Sequence, residues 1–194
     1  MVKLIVKRFL FLLGFVVTFP MTLLTWIEGI LVRNGSSRIF GGCREILSVC
    51  PTVIGEYMRL AYYWAVCTSV SLDASFLFGS MLARRKTIIR SGVVVGAYCI
   101  FGYVDIGENV LFGARVSVLS GKYQHGRPGD LAENREATGE FQVIRIGSNS
   151  WIGQDSVILA KVGENCTVGA GSVVFKDVPD NTTVMGNPAR KVNL

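Results

Sequence analysis

His125 is the one histidine in the 194-residue chain, and it is the residue best suited to move a proton near neutrality. An imidazole has an unperturbed pKa of about 6.5 and accepts a proton close to pH 7. Taken alone, a single histidine is more often structural, so its setting decides. That setting is SGKYQHGRPGDLAENREATGEFQVI, Ser120 to Ile144, a stretch rich in glycine and charge. Unstructured stretches of that length in compact domains are usually functional. One histidine cannot supply a three-histidine zinc site. The five cysteines (Cys43, Cys50, Cys67, Cys99, Cys166) contain no Cys-x-x-Cys pair and read as reduced, buried small residues rather than a disulfide framework. That favours a cytoplasm-facing domain.

The elements that must position His125 announce themselves by a six-residue beat. Apolar residues fall at Ile89, Val95 and Phe101, then after one shortened step at Ile106, Phe112 and Val118. The beat resumes at Ile146, Ile152 and Ile158, slips by two residues, and continues at Val168 and Val174. A glycine often follows, as at Gly96, Gly102, Gly113 and Gly153. A strand repeats every two residues and a helix every 3.6. A hexad instead fits a chain wound round a triangular prism, one short strand per face and three hexads per coil. The expected class is mainly β, a parallel β-helix of hexapeptide repeats, with the segment 120–144 ejected from a corner.

Composition points to a second environment. Half the residues are hydrophobic and only 18% are charged, which hints at membrane contact. The net charge of +6 is concentrated early: Lys3, Lys7, Arg8, Arg33, Arg38 and Arg44 stand against Glu28 and Glu45. Anionic lipid headgroups would attract that excess. No basic stripe with interleaved aromatics marks the repeats, which excludes nucleic acid as the expected partner. Phe9 to Ile27 carries no charge and would be about 28 Å long as a helix, near the roughly 30 Å hydrocarbon core. Pro20 is expected to kink or break it, and basic residues flank both ends. A re-entrant or in-plane segment is therefore preferred to a single span. Residues 45–68 read as a helical connector that caps the first coil, with Tyr57, Tyr62, Tyr63 and Trp64 suited to the headgroup level. Arg84 to Arg90 (RRKTIIR) reads as a solvated turn. The organisation expected is a membrane-associating helical segment over 1–44, the connector over 45–68 and the β-helix over 69–194.

The stretch from Ile146 onward resembles the C-terminal signature of hexapeptide-repeat acyltransferases, whose prism is left-handed. WIG (Trp151–Gly153), GAGSVV (Gly169–Val174), KDVP (Lys176–Pro179) and GNPA (Gly186–Ala189) carry the resemblance. ILAKVGEN is two residues shorter than the commonest pattern, which alters one turn. The resemblance covers residues 70–194 and implies a homotrimer with sites in the clefts between neighbours. It implies acetyl-CoA as a co-substrate, with no metal and no permanently bound cofactor. It implies coenzyme contacts at Trp151, Gln154, Ala170, Phe175, Lys176, Arg190 and Lys191, the last two and Lys176 as cations for its phosphates. The SGKYQHG context is similar to that of O-acetyltransferases acting on surface saccharides, which implies His125 as general base. Lys122, Tyr123, Gln124 and Arg127 flank it as candidates for the acceptor's hydroxyls.

The expected activity is transfer of acetyl from acetyl-CoA to a surface saccharide or its lipid-linked precursor at the cytoplasmic face of the inner membrane. A backbone N–H from a Gly-rich corner would hold the oxyanion, and no covalent enzyme intermediate is needed. Alternatives are N-acetylation of an amino sugar nucleotide, O-acetylation of serine, and a non-catalytic trimeric scaffold. Neither soluble reaction would need Phe9 to Ile27. The carbonic anhydrase branch of the same prism lacks its histidines here.

Overall fold

The computed structural model describes residues 2–32, 38–120 and 141–192. Every residue of the beat points inward: Ile89, Val95, Phe101, Ile106, Phe112, Val118, Ile146, Ile152, Ile158, Val168 and Val174 are all buried. They fill a left-handed β-helix of about five coils. The first face stacks Ser69–Val70, Ile88–Ile89, Val104–Ile106 and Ile144–Ile146, and the third stacks Met81–Leu82, Ile100–Phe101, Ser117–Val118, Val157–Ile158 and Val173–Val174. The second face runs from Ser75–Phe76 to Thr183–Met185, with Arg190–Val192 added antiparallel at its edge. The other pairings are parallel, so each coil lends its neighbour the hydrogen-bond partners that a two-residue strand cannot find alone.

The beat starts one coil earlier than Ile89, at Val70, Phe76 and Leu82, all buried. A seven-residue step from Leu82 to Ile89 hides it from a strict hexad count. The irregular steps seen in the sequence are coil-length changes. Ile100 lies over Ser117, seventeen residues on, whereas Val157 lies over Val173, sixteen on. The glycines after the beat let backbones of adjacent coils close up. A Cβ on Gly153 would stand 2.5 Å from the Ala170 nitrogen, and one on Gly113 2.6 Å from the Gln154 nitrogen.

Two corners are regular. Between the first and second faces Gly92, Asn109, Asn149, Asn165 and Asn181 turn with positive φ, which glycine and asparagine tolerate best. Asn109 donates to Asn149 and Asn165 to Asn181, each at 3.3 Å. Between the second and third faces, Arg115 and Asp155 join two coils through a bidentate ion pair at 2.6 and 2.8 Å. The corner between the third and first faces is irregular, and the segment around His125 leaves from it.

Helices α2 (Arg38–Ser48) and α3 (Thr52–Val66) lie over the open end of the first coil, and α1 (Val2–Leu31) packs on α3. Helix α3 covers the prism through Arg59, which is 1% exposed. Its guanidinium donates to the carbonyls of Phe76 (2.9 Å), Leu47 (2.9 Å) and Cys50 (2.8 Å), tying strand, helix and loop together. Tyr63 packs edge-on against Phe76 at 5.1 Å.

Helix α1 runs unbroken through Pro20, contrary to the expected break. Packing on both sides of the proline accounts for this. Phe11 meets Trp64 at 5.5 Å, while Thr25 bonds to the Tyr62 hydroxyl at 2.8 Å and Trp26 donates to Ala65 O at 3.1 Å. A neighbouring helix thus braces the turn that lost its N–H, as tolerated prolines in apolar helices require. Residues 5–31 are long and apolar enough to cross a membrane, with a mean hydropathy of 2.1.

Candidate active site at the irregular corner

The register assembles one column of residues at the corner between the third and first faces. Arg84–Lys86, Gly102–Tyr103, Ser120, Leu159–Lys161 and Phe175–Asp177 each connect a third-face strand to a first-face strand in successive coils. The long insertion falls in the middle of this column. Tyr103 N–H donates to Ser120 Oγ at 2.8 Å, and Gln142 N–H donates to Ser120 O at 2.8 Å. The insertion therefore departs and returns at one point, beside Tyr103. His125, Lys122, Tyr123, Gln124 and Arg127 lie outside the described residues.

A cavity opens on each side of that point. On the C-terminal side, Gln142, Val143, Lys161, Phe175, Lys176 and Asp177 line a space of about 600 Å³. An adjoining cleft of about 320 Å³ shares Phe175 and Lys176 and adds Arg190 and Lys191. The shortened turn lies here, because the two missing residues fall between Ile158 and Val162. Asp177 accepts from Lys161 N–H at 3.0 Å, which holds that turn closed and leaves the lysine chain outside. Four of the seven expected coenzyme contacts thus gather at one end of the column.

The other three do not join them. Gln154 and Ala170 stack at the corner between the second and third faces, where Gly171 N–H donates to Gln154 O at 2.8 Å. Trp151 projects from the second face, 55% exposed. Within one chain these positions occupy a different corner from Phe175 and Lys176.

On the N-terminal side, Glu28, Gly29, Arg84, Arg85, Lys86 and Tyr103 help line a cavity of about 590 Å³. Here the reading of Arg84–Arg90 as a solvated turn needs correction. The Arg84 guanidinium lies 4.4 Å from the Phe141 ring centroid and 5.6 Å from that of Tyr103. Arg85 donates to Val66 O at 3.1 Å and Thr25 O at 3.4 Å. Arg84 and Tyr103 line this cavity and Phe141 packs against both; pattern-reading missed all three. Counting coil lengths from the beat, with its seven-residue step included, would have placed all three at the corner of the insertion.

Cys67, which lines this cavity, and Cys99 are not fitted to act as nucleophiles. Burial pushes the Cys67 thiol up to about 12 and the Cys99 thiol up to about 11. Both are protonated at neutral pH, and the thiolate is the reactive form.

The model for the hexapeptide repeat of succinyl-transferase matches residues 103–121 and 143–176, on either side of the insertion. A maltose O-acetyltransferase from Clostridium difficile 630 is similar in structure at 23% identity, with a TM-score of 0.52, covering 80% of this chain and 84% of that one. AntD, an N-acyltransferase from Bacillus cereus, is similar at 20% identity with a TM-score of 0.55, covering 64% and 72%. That structure is of a mutant AntD in complex with dTDP-4-amino-4,6-dideoxyglucose and coenzyme A. No curated protein matches the sequence. The matched segments are hexapeptide repeats, and the solved structures share the left-handed prism fold.

Proposed function

We propose that the protein transfers an acetyl group from acetyl-CoA to a hydroxyl of a surface saccharide or its lipid-linked precursor, at the cytoplasmic face of a membrane. The observation that carries this reading is the irregular corner. The insertion bearing the only histidine is rooted between a cleft with Lys176, Arg190 and Lys191 and a cavity adjoining the apolar helix α1. In this scheme the coenzyme's phosphates meet the C-terminal cations, and the acceptor approaches from the α1 side. His125 removes the hydroxyl proton as the oxygen attacks the thioester carbonyl. Collapse of the tetrahedral adduct breaks the carbon–sulfur bond, and the imidazolium returns its proton to the departing thiolate.

Helix α1 supports the membrane part. Its inner stripe is Gly14, Thr18, Thr22, Thr25 and Glu28, all buried, while Leu12, Val16, Leu23, Leu24 and Ile30 face outward. Small residues at the helix contact and apolar ones outside suit lipid. Because α1 is fastened to α3 from Phe11 to Trp26, and α3 is fastened to the prism by Arg59, an in-plane helix fits better than a span. Flotation with liposomes should carry the full chain upward and leave a chain lacking residues 1–44 below.

A homotrimer is part of the proposal. Leu111 and Trp151 make an exposed apolar column on the second face, and a neighbouring copy would both cover it and bring Gln154 and Ala170 toward another copy's Phe175 and Lys176. Light scattering should give three times the mass of one chain.

The deciding experiment is mass spectrometry of surface glycans from cells with and without the protein. An acetyl increment lost with the protein, and not restored by His125→Ala, is the expected result. Restoration by His125→Ala would remove the general-base assignment. Removing such a base should lower kcat about 10²- to 10⁴-fold.

A further inference from the structure

The cavity of about 590 Å³ between the end of α1 and the first coils has an unbalanced charge. Arg84, Arg85 and Lys86 supply three cations, and among the described residues no carboxylate forms an ion pair with any of them. Glu28 is the acidic residue in the lining, but its carboxylate is already engaged. It accepts from Ile39 N–H at 2.7 Å and Phe40 N–H at 3.2 Å, capping the first turn of α2, where a negative charge is favoured. Arg85 is likewise committed, because it holds the carbonyls of Val66 and Thr25. Arg84 and Lys86 remain. Arg84 is clamped over Phe141 and Tyr103, so its fork is held in place rather than free to sweep through solvent. Stacking of this kind leaves the guanidinium edge available to an anion.

The rim is as informative as the floor. Ile27, Ile30 and Leu31, on the last turns of α1, are exposed and apolar beside Gly29 and Val32, which line the cavity. An amphiphile would therefore find cations and an apolar track side by side. We propose that this cavity binds the phosphate or diphosphate headgroup of a lipid-linked substrate through Arg84 and Lys86, with the tail laid along the outer face of α1. This rests on the acyl-transfer reading above and specifies the activating group of its acceptor. Tyr103 joins the cavity to the root of the insertion, so a headgroup held here would present its sugar toward the corner where that insertion begins.

The test uses the full chain in detergent micelles with farnesyl diphosphate, farnesol and inorganic diphosphate as probes and coenzyme A as an independent ligand. Farnesyl diphosphate should bind about tenfold or more tightly than either fragment of it, and R84Q/K86Q should lose about tenfold in that affinity. The variant's affinity for coenzyme A and its thermal midpoint should stay at the wild-type values, which shows that the fold is intact. Equal binding of farnesol, or a variant that keeps wild-type affinity for farnesyl diphosphate, overturns the assignment. Phosphatidylglycerol vesicles separate the two sources of a lipid phosphate. If they displace farnesyl diphosphate at equal headgroup concentration, the cavity serves bulk lipid and the substrate role falls. Coenzyme A binding without farnesyl diphosphate binding sinks this site alone; the reverse leaves the site standing and sinks acyl transfer.

Discussion

The prism and helix α1 are built inside out from one another. In the prism, Phe101, Ile106, Ile152 and Val168 are buried. In α1 it is Thr18, Thr22, Thr25 and Glu28 that are buried, while Phe9, Leu12, Val16 and Ile30 are exposed. One chain thus carries two opposite rules for burial, and each rule fits a different solvent. Water drives apolar groups into the prism. In the membrane-bound placement proposed above, lipid would offer no such drive, and small residues and hydrogen bonds would hold α1 to its neighbour with its bulk outward.

The largest effect should come from breaking the prism's rule. Phe101→Ala removes a ring fully buried against Phe112 at 4.7 Å and should cost about 3–5 kcal/mol of stability. The same change at Phe9, which is 64% exposed, should stay within about 0.5 kcal/mol. Denaturant unfolding of the two variants side by side checks the contrast. Equal losses would mean that α1 is an ordinary core helix.

Arg59→Met tests the joint between the two regions and should rank next. It leaves the carbonyls of Phe76, Leu47 and Cys50 without their buried donor, a loss of about 2–4 kcal/mol. Hydrogen exchange should show the protection loss centred on α3 and the first coil. Uniform loosening down to Val184 would show instead that the cap governs the whole prism.

How much of this was legible in the sequence differs between the same two regions. The hexad spacing revealed the prism because each coil repeats one physical solution, an inward apolar residue followed by a residue small enough for close backbone approach. Before Ile89 the beat alone hid a coil behind the seven-residue step, and only the resemblance carried the expected prism back to residue 70. The corner assignments of Arg84 and Tyr103 were hidden for a related reason: they depend on summed coil lengths, and the coils run to different lengths. Pro20 misled because its cost is local, while the packing of Phe11, Thr25 and Trp26 that offsets it joins residues far apart in the chain. A cap over 45–68 was expected, but the part Arg59 plays in it was unreadable, since its acceptors are backbone carbonyls that carry no sequence signature. The residues that the resemblance assigned to the coenzyme came from motifs, and their division between two corners needed three dimensions.

A charge on the outer face of α1 should separate stability from location. Val16→Lys places an ammonium where α1 is 68% exposed at the wild-type side chain. On an in-plane helix such a charge costs less than the roughly 2.5–3.5 kcal/mol of the bilayer centre, read as weaker liposome flotation, while denaturant unfolding in detergent should move little. Unchanged flotation would place the membrane contact elsewhere in the chain.

The smallest effect belongs to the Arg115–Asp155 pair on the regular corner, where the two side chains are 56% and 45% exposed. The Arg115 guanidinium beside Asp155 holds that carboxyl below its ordinary value of 3.8. A depressed folded pKa stabilises the fold above the unfolded value and loses that contribution as pH falls through the folded one. Any advantage of the wild type over Asp155→Asn should therefore be present at neutral pH, shrink below the ordinary value of 3.8 and vanish in stronger acid. Exposed pairs of this kind contribute little in water, so the thermal midpoints should nearly coincide at neutral pH and converge further at high salt. A wide gap at neutral pH that survives high salt would show that this corner is held by specific charge geometry. Stacked turns alone would then no longer account for its regularity, and the contrast between apolar prism and polar-cored α1 would need a third, ionic element.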